Sequence, residues 1–159
     1  MNTLELTSPA FREGCPIPRR HTGFGEDVSP ALRLSGLCGE AGTMALVLDD
    51  LDVPLCRPYC HWLLWNLPPV TELPEGIPHG PLVLSLGNAV QGIGYGKHRY
   101  RGPCPPAFTK KAHRYVFQVY VLDCRLNLSP AAGRRKLMNA MSGHILQEAS
   151  LMGTCRHMS

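Results

Sequence analysis

Hydrophobic residues occur along this chain in short continuous runs, and long periodic stretches are rare. Residues 43–48 read Thr-Met-Ala-Leu-Val-Leu, and residues 61–67 read His-Trp-Leu-Leu-Trp-Asn-Leu. Runs of this length, bounded by acidic residues or prolines, are typical of strands that are buried on both faces. Residues 82–86 form a weaker third candidate. The pattern therefore predicts two buried strands and a less certain third one.

Residues 113–122 form the strongest strand candidate, because β-branched and aromatic residues dominate the segment. One face of this strand carries the following residues: His113, Tyr115, Phe117, Val119 and Val121. Since side chains alternate along a strand, His113 and Tyr115 are expected to point the same way. Residues 8–30 are rich in Pro, Gly and Ser, and we expect an extended segment along the edge of the core.

One helix is predicted near the end of the chain. Ser129-Pro130 offers an N-cap followed by proline at the first helical position. Gly153 supplies a stop, although Gly133 and Gly143 lie inside the segment and weaken the helix. Apolar residues recur at helical spacing on one face, which we interpret as core packing: Leu137, Met141, Ile145 and Met152.

The composition favours one mainly β domain over residues 1–159. The length suits a single domain, and 44% hydrophobic with 18% charged residues excludes a disordered tail. Because 16 glycines and 15 prolines interrupt helix interiors and central strands, many short strands are expected. We therefore predict an antiparallel β protein with a C-terminal helix laid on it.

The formal net charge is +4 with neutral histidines. This surplus suits a small anion, a phosphate head group or an acidic partner surface, and it equally fits a solvated surface without a partner. It does not indicate a dedicated nucleic-acid-binding protein. The seven cysteines show no regular framework, and no apolar run approaches the ~20 residues of a membrane span. Together with an N-terminus unlike a signal peptide, this predicts a cytoplasmic protein with reduced thiols and no transmembrane segment.

Acidic residues follow the first buried strand in the sequence Asp49-Asp50-Leu51-Asp52-Val53-Pro54. Carboxylates at the end of a strand can accept backbone N–H groups, bind a cation, or accept a hydrogen bond from a protonated histidine. Asp50 and Asp52 point together if the chain stays extended there. The alternative is a turn that the Asp side chains stabilise and Pro54 stiffens.

Two cysteines and a histidine lie close together at Cys56, Cys60 and His61. The spacing invites a zinc interpretation, but structural zinc usually needs a second ligand pair, and the sequence offers none at a matching spacing. A redox pair and buried inert thiols are the alternatives, of which inert thiols are favoured. No metal site is predicted.

The segment Gly102-Pro103-Cys104-Pro105-Pro106 is a stiff loop whose few backbone donors have fixed directions. Beside a strand that carries His113 and Tyr115, such a loop can form the wall of a preorganised pocket. A proline-rich turn without a ligand is the alternative. As a nucleophile, Cys104 needs a histidine within reach, and His61 or His113 are the candidates.

The glycine-rich stretch 92–97 matches neither a dinucleotide fingerprint nor a P-loop, so no cofactor is predicted. We expect a mobile loop with a solvated basic edge, formed by Lys97, His98, Arg99 and Arg101.

Taken in order, these motifs resemble the phosphatidylethanolamine-binding protein family, and more closely its bacterial and archaeal Raf-kinase-inhibitor-like branch. The resemblance covers about residues 6–156 and rests on these segments: Ser8-Pro9-Ala10-Phe11, Ser29-Pro30, Asp50-x-Asp52-x-Pro54, His61-Trp62, Gly102 to Pro106 and His113-Arg114-Tyr115. It implies a large antiparallel sheet packed on a smaller one, with a few peripheral helices. It also implies a small anion-binding pocket at one end of the sheet, which in family members takes phosphate or a phosphorylated head group.

The resemblance implies ligand-binding roles for these positions: Asp50, Asp52, His61, Pro103, Cys104, Pro105, His113 and Tyr115. The usual motif has proline between its two aspartates, where this chain has Leu51, so a less rigid turn is expected. The branch commonly carries Gly-x-Tyr near its end, where this chain has Gly153-Thr154-Cys155. If that tyrosine closes the pocket, the pocket of this chain is more open.

Three functions stay open at this level. The first is binding of a small anion or phosphorylated ligand, with possible modulation of a partner kinase or protease. The second is a hydrolase that uses Asp50, His61, Cys104 and His113, although the sequence has no Gly-x-Ser-x-Gly elbow. The third is protein–protein inhibition with a vestigial pocket. The sequence favours a binding protein over an enzyme and leaves the oligomeric state open, with a homodimer as one alternative.

Overall fold

The computed structural model describes residues 3–56 and 58–159. The strands in these ranges are β1 (Glu5–Thr7), β2 (Leu32–Ser35), β3 (Thr43–Asp50), β4 (Tyr59–Leu67), β5 (Glu72–Leu73), β6 (Leu82–Val83), β7 (Ala89–Gln91), β8 (His113–Leu122) and β9 (Ile145–Cys155). They form a six-stranded antiparallel sheet in the order β6-β7-β4-β3-β8-β9, and a three-stranded one in the order β1-β2-β5. The helix α1 (Arg134–Met141) and two short 3-10 helices (Arg19–His21 and Leu84–Leu86) complete the described elements. The predicted fold class, mainly β with a C-terminal helix, is confirmed.

The two apolar runs are the central strands β3 and β4, each two residues longer than predicted. Both faces of β3 are buried, as the continuous run indicates. One face packs with the smaller sheet, where Leu46 and Leu48 share a core with Leu6 and Leu34. The other face packs under α1, and its core contains these residues: Val47, Leu63, Trp65, Leu137 and Met141. The large sheet is therefore the middle layer of the fold.

The prediction of a strand over 82–86 is correct only for Leu82–Val83. The chain then turns through the 3-10 helix Leu84–Leu86. Gly87 and Asn88 follow with φ of 62° and 61°, a left-handed backbone that reverses the chain into β7.

The predicted C-terminal helix is wrong beyond Met141. Gly143 adopts φ of 84° just after α1 ends, and Ile145 and Met152 lie in β9 instead. β9 pairs with β8 along almost its whole length, and this ladder outweighs a weak helical pattern. Gly153 does not stop a helix. A Cβ there would lie 2.5 Å from Ile17 and 2.7 Å from Phe11, so glycine admits the N-terminal segment against β9.

The start of that helix also differs from the prediction. Ser129 accepts a hydrogen bond from the Ala131 N–H in a local turn, and Gly133 occupies the N-cap position of α1. α1 is held to the sheet by Arg134, whose guanidinium donates to both oxygens of Asp49 at 3.0–3.1 Å. The Asp49 carboxylate therefore faces α1, whereas the neighbouring Asp50 lies on the opposite face of the sheet and lines a cavity there.

The N-terminal segment covers the free edge of β9, as expected for residues 8–30. The N–H groups of Gly14 and Ile17 donate to the carbonyls of Met152 and Thr154, and Thr154 N–H donates to Cys15. This pairing protects the long edge strand. Within the described residues, no helix is long and apolar enough to cross a membrane.

Candidate functional site

A cavity of about 330 Å³ opens at one end of the central strands of the large sheet, where β3 ends and β4 and β8 begin. The pairing register brings the strand ends together, because Asp50 lies opposite both Tyr59 and Tyr115. The lining comes from these strands and from three loops: Asp50, Val53, Pro54, Tyr59, His61, Tyr95, Cys104, Pro105, Pro106, Phe108, Thr109, His113 and Tyr115.

Asp50 and His113 form a buried pair at the floor of this cavity. The His113 Nδ1 lies 2.8 Å from Asp50 Oδ2, and the side chains are 8% and 3% exposed. The other Asp50 oxygen accepts the Asp52 N–H at 2.8 Å. The Asp50 carboxylate thus orients the His113 ring through Nδ1, and Nε2 of His113 is left for a ligand.

Asp52 does not line the cavity, although the sequence placed it among the ligand-binding residues. Its carboxylate instead accepts two hydrogen bonds from the Arg114 guanidinium, at 2.9 and 3.0 Å, and one from the Arg114 N–H at 2.7 Å. These bonds lower the pKa of Asp52. Because the chain turns after Asp50, the Asp50 carboxylate binds His113 whereas the Asp52 carboxylate binds Arg114. The Asp52 N–H donates to Asp50 within this turn.

The Leu51 N–H donates to the Arg114 carbonyl at 2.9 Å and extends the pairing of β3 by one residue. A proline at this position would lack that donor. Hydrogen bonds therefore stabilise this turn, at the position where the family motif has a proline ring.

His61 is the second buried histidine of the cavity, and it sits at an irregularity of β4. Leu48 pairs with Trp62 but Asp49 pairs with Cys60, so His61 is the extra residue of a β-bulge. Its Nδ1 lies 2.7 Å from the Arg101 carbonyl, which can only accept, so Nδ1 carries the proton. Burial lowers the pKa of His61, and the Arg101 charge acts in the same direction.

Aromatic rings surround the two histidines. The Tyr115 ring lies edge-on to His61 at 5.5 Å and is stacked with His113 at 6.3 Å. Burial, and then the charge of Asp50, raise the pKa of Tyr115, so its hydroxyl stays protonated and can donate. On the other side of His61 lie Tyr59 and Tyr95, and the ring centroids of Tyr95 and His61 are 4.9 Å apart.

The proline-rich loop forms the opposite wall, but Pro103 is not among the lining residues. Its carbonyl accepts the Gly23 N–H at 2.8 Å, which fastens the loop to the N-terminal segment. Cys104, Pro105 and Pro106 line the cavity. In the part of the chain that the structure describes, the Cys104 thiol forms no hydrogen bond with an imidazole. A nucleophile–base pair of Cys104 with either cavity histidine is therefore absent from this arrangement.

The glycine-rich loop contributes to the site, which the sequence analysis missed. Tyr95 lines the cavity, and the Arg101 guanidinium lies over its ring at 4.8 Å from the centroid. The expected solvated basic edge is wrong for Arg101, whose Nε is buried, and for His98, whose Nδ1 contacts the Gln91 carbonyl at 2.8 Å. Only an isolated aromatic in a Gly-x-Gly-x-Gly stretch could have drawn attention to Tyr95.

Besides Tyr95, six lining residues were not among the predicted ligand-binding positions, namely Val53, Pro54, Tyr59, Pro106, Phe108 and Thr109. Phe108 is 83% exposed at the mouth of the cavity. Surface loops of this kind carry no periodic signal, so their position beside His113 emerges only from the fold.

The cysteines near the cavity do not form a cluster with His61. Cys60 packs toward the core under α1, and burial raises its pKa to about 12. Cys56 is exposed, and Arg57 of the same motif lies outside the described residues. Cys155, which stands where the family branch has tyrosine, is buried opposite His113 in the register of β8 and β9. Its burial raises its pKa to about 11.

Comparisons with known proteins agree with this fold. A sequence model described as phosphatidylethanolamine-binding protein matches residues 7–156. A UPF0098 protein of Pyrococcus abyssi is 45% identical over 138 residues, covering 86% of this chain and 76% of that protein. A UPF0098 protein of Methanothermobacter thermautotrophicus is 41% identical over 155 residues, covering 96% of this chain and 99% of that protein. A crystal structure from Chlamydia trachomatis, of a phosphatidylethanolamine-binding protein homologue, has a TM-score of 0.87 at 37% identity and covers 99% of this chain and 100% of that one.

Proposed function

Because this chain belongs to the phosphatidylethanolamine-binding protein family, we propose that its cavity binds the phosphate, or a similar oxyanion, of a small phosphorylated molecule or head group. One observation carries the proposal. Two buried histidines line the cavity, and each has Nδ1 already engaged, His61 by the Arg101 carbonyl and His113 by Asp50. Nε2 of each ring is the nitrogen left for a ligand. The volume of about 330 Å³ suits a small ligand.

In this proposal Asp50 acts on His113 and does not touch the ligand. Its carboxylate accepts a hydrogen bond from His113 Nδ1 and fixes the ring, which leaves Nε2 for the oxyanion. Because Nδ1–H donates to Asp50, Nε2 can donate to an oxyanion only when the bound ring carries both protons. The Tyr115 hydroxyl lies beside the ring and has its own hydrogen bond to Asp50.

His61 is proposed to gain a proton when the anion binds. In the free protein its lowered pKa keeps the ring neutral at neutral pH, so Nε2 can only accept. An oxyanion without a proton of its own needs a donor there. Binding of such an anion is therefore coupled to proton uptake by His61.

We predict that sulfate binds more tightly as the pH falls, by up to about tenfold per pH unit for one linked proton. The gain ends at the lower pH where the His61 of the free protein is itself protonated. Isothermal titration calorimetry at about pH 5.5 and about pH 8 measures the effect. Sulfate is the probe because it stays a dianion over this range, whereas phosphate changes its own charge.

The control variant for this titration is His79→Gln, which removes an exposed histidine that does not line the cavity. It should keep the pH dependence, and His61→Gln should weaken it. Equal sulfate affinity at both pH values would contradict a role for a protonated histidine. Failure of both sulfate and phosphate to bind at either pH would contradict the proposed function itself.

Exposed apolar side chains favour a second candidate, docking of a partner protein such as a kinase or protease over the cavity. Leu55 is fully exposed and Phe108 is 83% exposed, and both belong to loops at the mouth. If the cavity were vestigial and only this surface were used, sulfate would not bind at any pH. The same titration therefore separates the two candidates.

A hydrolytic function has less support, because the cavity offers no thiol–imidazole pair within the described residues. We further propose that the protein acts in the cytoplasm, where its seven free thiols would stay reduced.

A further inference from the structure

Asp123, Cys124 and His144 form a compact cluster at the opposite end of the large sheet from the cavity. Asp123 and Cys124 directly follow β8, and His144 directly precedes β9. His113 begins β8, so ten strand residues, or roughly 33 Å, separate this cluster from the cavity. The cluster therefore plays no part in the proposed anion site.

The three side chains offer the ligand atoms of a metal centre at close range. His144 Nδ1 lies 2.9 Å from Asp123 Oδ1. The Cys124 sulfur, one imidazole nitrogen and one carboxylate oxygen all lie within 4.8 Å of one another. Ligand atoms around one tetrahedral zinc ion are about 3.3–3.7 Å apart, as bond lengths of about 2.0–2.3 Å require. For His144 Nδ1 and Asp123 Oδ1 to bind one ion, their contact must open from 2.9 Å to this spacing.

The backbone that carries the cluster is held in place independently of any ion. The Asp123 N–H donates to the His144 carbonyl at 3.0 Å, and the His144 N–H donates to the Met141 carbonyl at 2.9 Å. The Thr43 hydroxyl donates to the Cys124 carbonyl at 2.6 Å. Ligands that are preorganised in this way bind a metal without the cost of ordering a loop.

We propose that Asp123, Cys124 and His144 bind a zinc ion, with solvent in the fourth position. A thiolate, an imidazole and a carboxylate together suit zinc better than magnesium or calcium, which prefer oxygen ligands throughout. The side chains of Asp123 and His144 are each 46% exposed, so an ion can enter from solvent. Among the described residues, this is the one group of three or more potential ligands that meets these distances.

The cluster escapes sequence analysis because its members show no recognised spacing. His144 is 21 residues from Asp123, and α1 lies between them. Only the antiparallel pairing of β8 with β9 brings the two ends together.

The test is calorimetric titration of the reduced full-length protein with zinc chloride after treatment with a chelator. We expect one zinc ion per chain, and a loss of affinity of at least about tenfold for both Cys124→Ser and His144→Gln. Titration with cobalt(II) adds a second readout. A thiolate-to-cobalt charge-transfer band should appear in the parent protein and be absent from Cys124→Ser.

Matched controls exclude zinc binding by other thiols and histidines. Cys15→Ser removes an exposed thiol elsewhere, and His79→Gln removes an exposed histidine elsewhere. Both should keep the zinc affinity of the parent protein. Unchanged affinity in Cys124→Ser and His144→Gln would overturn the proposal, and so would an equal loss in either control. His144→Gln alters an exposed side chain, so it keeps the test valid if Cys124→Ser fails to fold.

Discussion

Replacing His113 with alanine is expected to weaken binding of inorganic phosphate by about tenfold to a hundredfold. A hydrogen bond to a charged group contributes about 1.5–3 kcal/mol, and His113 is the ring that Asp50 holds in place. The substitution also leaves the buried Asp50 carboxylate without this partner, so its negative charge would face the anion. Calorimetric titration at about pH 6 measures the loss.

A second variant guards against unfolding of the first. His113→Gln can still donate to Asp50 through its amide but cannot carry a positive charge. It should fold like the parent protein, as judged by circular dichroism, and should lose most of the phosphate affinity. Parent-like affinity in a folded His113→Gln would show that the charge on His113 is not what binds the anion.

Replacing Gly102 with alanine is expected to lower the free energy of unfolding by about 1–3 kcal/mol and to impair the cavity. A Cβ at Gly102 would lie 2.3 Å from the His21 carbonyl oxygen and 2.5 Å from Asp27 Oδ1. Asp27 accepts the Gly102 N–H at 2.8 Å, so the added carbon must break this contact or shift the loop. The loop also presents the Arg101 carbonyl that orients His61. Urea unfolding and phosphate titration measure the two effects.

Gly39→Ala is the matched control, because a Cβ at Gly39 meets nothing within 4 Å. It should change neither the unfolding midpoint nor phosphate affinity. If Gly102→Ala behaved like Gly39→Ala, the close packing of the loop on the N-terminal segment would be wrong. Loss of stability without loss of affinity would show that the loop does not position His61.

The strands that build the site could be predicted because their signals are local. β3 and β4 are continuous apolar runs, and β8 alternates with β-branched and aromatic residues. The shared orientation of His113 and Tyr115 followed from strand geometry alone, and both residues line the cavity. β9 could not be predicted, since its apolar residues also fit a helical period and only the pairing with β8 decides between them.

The candidate site could be predicted only in part. Asp50, His61, Cys104, Pro105, His113 and Tyr115 lie around one cavity, whereas Asp52 and Pro103 face other partners. An extended chain would have aligned Asp50 with Asp52. Because the chain turns at Leu51, the Asp52 carboxylate instead binds Arg114. The spacing of the two aspartates in the sequence does not predict this contact. Tyr59, Tyr95 and Phe108 were missed because the start of β4 and the two loops that carry them meet only in the folded chain.

The position of His61 illustrates the same limit at a single residue. In a regular strand, His61 and Trp62 would face opposite sides of the sheet. The bulge in β4 changes this, so that Trp62 packs in the core under the smaller sheet while His61 lines the cavity. Sequence patterns seldom reveal a bulge, because it inserts one residue without changing composition.

A crystal structure of the protein soaked in inorganic phosphate at about pH 6 tests the central claim most directly. One phosphate is expected in the cavity, with oxygens within hydrogen-bonding distance of Nε2 of both His61 and His113 and no contact with the Asp50 carboxylate. A cavity that stays free of phosphate, or a phosphate that contacts neither imidazole, would contradict it.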